Sequence, residues 1–237
     1  MERSIHISAD KETTARTFAD FLWNLAKDRE KLTVALSGGS TPKILFDILA
    51  KEYDDKFDWE KIHFYWGDER CVPPYDDESN FKMTREHLFD KIKIPTENIH
   101  RILGENNPDD EAPRYSDEIR SNLDSQSGLP AFDLIILGMG DDGHTASIFP
   151  HQMRLLTKEK ICAVARHPES GQNRITLTGP VINNAKSVAF LVTGSGKREK
   201  VTEIFSKSKS AEAYPAYHIK PTSGELHWFL DKDAAPE

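Results

Sequence analysis

The chain has little cysteine, no long apolar run and a deficit of positive charge. Cys71 and Cys162 are its only cysteines and lie far apart without a CxxC spacing, which excludes a disulfide framework and reads as two reduced thiols. No 18-residue apolar run occurs, and Met1-Glu2-Arg3-Ser4-Ile5-His6 contains no signal-peptide core. Neither a transmembrane helix nor a secretory leader is therefore expected, and the expected location is cytoplasmic. Lys and Arg number 31 against 39 Asp and Glu, a net charge of −8. Phosphate backbones and anionic bilayers need clustered cations, so neither nucleic acid nor membrane is expected as a partner. A small anion still fits, provided positive groups converge locally. There is no internal repeat, no low-complexity tract and no dividing linker, so residues 1–237 read as one domain. No HExxH or paired-Cys spacing supports a metal, and no GxSxG elbow supports a serine nucleophile.

What is present is an alternation of strand-like and helix-like segments, the pattern of a mostly parallel sheet flanked by helices on both faces. Strands are read at 32–36, 62–66, 132–137, 161–165, 174–178, 187–192 and 227–230. Helical segments are read at 13–27, 81–88, 113–123, 181–185 and 198–205, with one more starting at Pro42 behind Thr41 as N-cap.

Four strands run into unusual loops: Ser37-Gly38-Gly39-Ser40-Thr41, Gly67-Asp68-Glu69-Arg70, Gly138 to Thr145, and Gly194-Ser195-Gly196-Lys197. If those strands are parallel, all four loops open on one edge, where α/β proteins bind ligands. The first loop leads into a helix N-terminus, whose free amides and dipole favour a phosphate or carboxylate. Arg70 and Lys197 are placed to complete an anion clamp, which makes a phosphorylated small molecule the leading ligand class. Gly194-Ser195-Gly196-Lys197 is not a Walker A loop, because the upstream Gly is missing and Arg198 stands where Ser or Thr is required. Gly138-x-Gly140-x-x-Gly143 matches a dinucleotide fingerprint, but Asp141 and Asp142 would oppose a pyrophosphate. The same loop carries His144 two residues after Asp142, the pairing expected of a general base that activates water. Asp68 offers a further carboxylate across the crevice.

Leu36-Ser37-Gly38-Gly39-Ser40-Thr41-Pro42, Gly67-Asp68-Glu69-Arg70 with Ser79-Asn80, the block from Gly138 through His144 to Pro150, and Arg174-Ile175-Thr176-Leu177-Thr178 together resemble the 6-phosphogluconolactonase family. The resemblance runs in order from about residue 10 to 230. It implies a modified Rossmann-type sheet, hydrolysis of 6-phospho-D-glucono-1,5-lactone in pentose phosphate metabolism and no obligatory cofactor; the chain is expected to be a monomer or weak homodimer. On that resemblance His144 deprotonates water and Asp142 orients it, while Ser37, Gly38, Gly39, Ser40, Thr41, Arg70 and Lys197 hold the phosphate. Asp68, Asn80 and Arg174 meet hydroxyls, phosphate or oxyanion. The related glucosamine-6-phosphate deaminases carry a Glu five residues after the His, where this chain has Phe149. A non-catalytic sugar-phosphate sensor on the same scaffold would keep the phosphate loops but has no need of both Asp142 and His144.

Overall fold

The computed structural model describes residues 3–236. In chain order the elements are β1 (Arg3–Ser8), α1 (Lys11–Ala26), β2 (Leu32–Leu36), α2 (Ser40–Glu52), β3 (Ile62–Trp66), β4 (Asp68–Arg70), α3 (Asn80–His87) and α4 (Pro108–Asn122). They continue with β5 (Ser125–Gln126), β6 (Leu129–Pro130), β7 (Leu134–Leu137), β8 (Cys162–Arg166), β9 (Asn173–Leu177), α5 (Gly179–Ile182), β10 (Ser187–Val192), α6 (Arg198–Ser206) and β11 (Glu225–Asp231).

Six strands form one sheet in the order β1-β11-β10-β7-β2-β3, with every pair parallel. Every residue of β2, β7 and β10 is buried, as a parallel sheet covered on both faces requires. Crossovers between parallel strands are right-handed. Those from β1 to β2 and from β2 to β3 advance across the sheet and set α1 and α2 on one face. Those from β3 to β7, β7 to β10 and β10 to β11 step back, which sets α4 and α6 on the other. The direction reverses between β2 and β7, and such a switch point opens a crevice at the carboxyl ends of the strands.

Several boundaries differ from the sequence reading, each for a local reason. β1 was not expected: its outward Ile5 and Ile7 are 43% and 55% exposed, so it lacks a buried face of its own and exists through pairing with β11. Gly67 to Arg70 is not a loop, because Asp68–Arg70 forms β4, antiparallel to β9 in a separate β4-β9-β8 sheet. The strands read at 161–165 and 174–178 are β8 and β9 of that sheet. The helix read from Pro42 starts at Ser40 behind Gly39, whose φ of +113° suits glycine. Pro42 is tolerated there because first-turn N–H groups have no helical acceptor. α4 begins at Pro108, capped by the Asn107 side chain, so Pro113 lies inside it rather than at its start. The segment read at 181–185 is the single turn α5. No helix among the described residues is long and apolar enough to cross a membrane.

Candidate active site

The chain segments that follow β2, β3, β7 and β10 converge on one cavity of about 240 Å³. That is smaller than the ~300–1,000 Å³ of most small-molecule sites and suits a single sugar ring better than a dinucleotide. Ser37, Gly38, Gly39, Ser40, Thr41, Asp68, Arg70, Asn80, His144, Arg174 and Lys197 all line it. Of the residues expected from sequence, only Asp142 stands behind the wall, where it holds His144.

The floor is the N-terminus of α2. Its Gly39 cap supplies no side-chain acceptor, so the first-turn amides remain available to an anion. The Thr41 and Thr193 hydroxyls share a hydrogen bond of 2.8 Å, which ties the segment after β2 to that after β10.

The chain beyond β3 supplies alternate residues to two faces. Asp68 and Arg70 turn into the cavity, while Glu69 turns away and is buried. The Glu69 carboxylate accepts from the amides of Arg70, Asn80 and Phe81 and from the Ser79 hydroxyl. It thereby pins the N-terminus of α3 to β4 and delivers Asn80, whose Nδ2 donates to the Asp68 carbonyl. Burial pushes the Glu69 carboxyl up, against the pull of those amides. Asp68 Oδ2 accepts from the buried Ser147 hydroxyl at 2.6 Å.

Pairing of β4 with β9 sets Arg70 directly opposite Arg174. Among the described residues neither guanidinium has a carboxylate partner. Arg70 Nη1 donates only to the Glu78 carbonyl, and the Nε atoms of both arginines are buried without an acceptor. Burial, and then the facing Arg70, pull Arg174 below the usual guanidinium range. Two like charges held opposite each other are destabilising until an anion comes between them.

The catalytic candidate sits in the turn after β7. Gly143 N donates to Gly140 O at 3.0 Å and Gly140 N to His144 O at 2.9 Å, folding the loop back on itself. A Cβ on Gly140 would lie 2.1 Å from His144 Nδ1, so only glycine leaves room for the imidazole. Asp142 Oδ1 accepts from the His144 ring at 2.6 Å and from its amide at 3.0 Å. Burial opposes ionisation of Asp142, but the His144 hydrogen bonds outweigh it and hold the carboxyl at about 2. A carboxylate can only accept, so Nδ1 carries the proton and Nε2 is the basic nitrogen. The ring leans on Phe149 at 4.8 Å between centroids, and the Arg174 guanidinium lies 5.8 Å from the same Phe149 ring.

Sequence reasoning did not assign Ser147, Phe149 and Thr193 to the site. Ser147 and Phe149 lie in the block from Gly138 to Pro150, but their roles depend on neighbours distant in sequence. Cys71, beside Arg70, is pushed up to about 11 by burial and by nearby Glu69 and Glu111, which leaves an unreactive thiol.

Fold and site define an α/β protein whose strand-end cavity brings a hydrogen-bonded histidine–aspartate pair together with three cationic side chains. The family model described as glucosamine-6-phosphate isomerases/6-phosphogluconolactonase matches residues 9–228, and the chain belongs to that family. It is 48% identical over 202 residues to a 6-phosphogluconolactonase from Haemophilus influenzae, covering 85% of each chain. With a 6-phosphogluconolactonase from Treponema pallidum it shares 41% identity over 219 residues, 92% of this chain and 91% of that one. The solved structure of 6-phosphogluconolactonase from Trypanosoma brucei is similar at a TM-score of 0.87 and 26% identity, over 98% of this chain and 97% of that one.

Proposed function

We infer that the chain hydrolyses 6-phospho-D-glucono-1,5-lactone to 6-phosphogluconate, with His144 as general base. The observation that carries this is the His144–Asp142 pair, with Nε2 as its basic nitrogen, set in a cavity lined by three cations. The substrate phosphate sits on the first-turn amides of α2, with Ser37, Ser40 and Thr41 around it and Arg70 and Lys197 as counter-charges. Asp68 and Asn80 receive the ring hydroxyls. Arg174 lines the same cavity as His144 and both lie against the Phe149 ring, which supports Arg174 as the group that meets the oxyanion forming at C1.

His144 Nε2 takes a proton from water as the oxygen adds to C1. The tetrahedral intermediate then collapses with cleavage of the bond between C1 and the ring oxygen. The imidazolium returns its proton to that oxygen, giving the open-chain acid. Asp142 stays ionised and keeps the ring in the required tautomer. Phe149, fully buried, has no proton to carry, which favours ester hydrolysis over the isomerase and deaminase chemistry of the same family.

The test is hydrolysis of freshly generated lactone, with the spontaneous rate subtracted. Catalysed release of 6-phosphogluconate is expected. Binding of the sugar phosphate without turnover would sink the reading in favour of a sensor.

A further inference from the structure

Of the three cavity cations, Arg70 and Arg174 face each other without a carboxylate, whereas Lys197 Nζ is paired with Asp141 Oδ1. The two partners differ in kind. The Lys197 side chain is 23% exposed and lines the cavity, while Asp141 is 88% exposed on the rim. Their backbones are held independently. Gly194 N donates to the Asp231 carboxylate at 2.9 Å and Lys197 N to Gly194 O at 3.0 Å, while Asp141 rides in the turn closed by Gly140 and Gly143. Asp141 can therefore swing into solvent with no change in the fold.

We propose that Asp141 is a built-in stand-in for the substrate phosphate, neutralising Lys197 until a phosphate dianion displaces it. The proposal rests on the reading of Lys197 as a phosphate ligand. An exposed ion pair is worth little, whereas a phosphate dianion offers more charge and several strong acceptors, so the exchange runs towards phosphate. A singly charged carboxylate has no such advantage over Asp141. The residue thus sets selectivity for phosphorylated ligands at a modest cost in affinity. The two adjacent acids divide the work: Asp141 serves the anion end and Asp142 serves the base.

The test is Asp141→Asn, read by the dissociation constant of inorganic phosphate and by KM for the phosphorylated lactone. Both are expected to fall about two- to five-fold at low ionic strength, with the gain shrinking at high salt. KM for unphosphorylated glucono-1,5-lactone should not follow. Unchanged or weakened phosphate binding overturns the proposal, and so does an equal gain for the unphosphorylated lactone. Lys197→Ala separates the two layers of the argument. If it leaves phosphate affinity intact, the reading of Lys197 itself fails. If it weakens phosphate while Asp141→Asn changes nothing, only the stand-in is lost. On the Lys197→Ala background, Asp141→Asn should add no gain.

Discussion

The two ends of β7 treat charge in opposite ways. At the amino end Asp133 is 8% exposed and fully partnered: it accepts from the Thr33 amide and hydroxyl at 2.9 Å each, from Arg29 at 2.8 Å and from Lys186 at 2.9 Å. At the carboxyl end Arg70 and Arg174 stand opposite each other without carboxylates, each with an orphaned Nε. The amino end spends its charges on holding β2 to β7. At the carboxyl end Lys197 meets the exposed Asp141, but among the described residues the two facing arginines have no such ion pair, which suits them to the phosphate and oxyanion roles proposed above. Polar groups are thus satisfied where β2 is fastened to β7, and left open on β4 and β9 of the adjoining sheet, where the proposed site lies.

The carboxyl end breaks most sharply through its base. His144→Ala should lower kcat by about 10²–10⁴ with little loss of folding stability, measured on fresh lactone after subtraction of spontaneous hydrolysis. A variant that keeps its full rate would remove His144 from the chemistry. Arg174→Ala comes next, with kcat down by about 10²–10³ as expected of a lost oxyanion donor. The stability of this variant should hold or rise, because one member of a repelling pair is gone. If KM rises and kcat does not, Arg174 belongs with the phosphate and the assignment to the oxyanion is wrong.

The same contrast explains what was legible in the sequence. β2, β7 and β10 are buried, largely apolar runs because helices cover both their faces, and each is followed within two residues by a glycine where the site begins. Four strand ends could therefore be read as one site. β4 could not be read, because Asp68-Glu69-Arg70 has no apolar pattern and becomes a strand only through pairing with β9. That pairing also creates the Arg70–Arg174 opposition, which joins residues far apart in the chain. β1 was hidden for a related reason, since its exposed isoleucines carry no inward face. The hydrogen bond from Ser147 to Asp68 and the ion pair of Lys197 with Asp141 likewise span distant positions, and no local spacing encodes them.

The smallest effect is expected at the satisfied end, and it separates stability from catalysis. Burial tends to push the Asp133 carboxyl up, but the Thr33 amide, Lys186 and the Thr33 hydroxyl outweigh it and hold it below the ordinary carboxylate range. A carboxyl lowered in the folded state binds fewer protons there than in the unfolded chain. It therefore stabilises the fold above the ordinary aspartate range, and that contribution is lost as pH falls through the lowered folded value. Asp133→Asn retains the shape but weakens the acceptor for Thr33 and removes the charge that Arg29 and Lys186 meet. Both cations are partly exposed and can turn to water, which limits the penalty to about 1–3 kcal/mol. Chemical denaturation at neutral pH should show that loss with kcat and KM unchanged. Towards acid pH the two stability curves should converge, since protonation removes from the native protein what the substitution has already removed. A gap that persisted after Asp133 had titrated would mean that packing, rather than charge, holds this end of the sheet. A fall in kcat would mean that the two ends of β7 are coupled, and the division of labour along the strand would not stand.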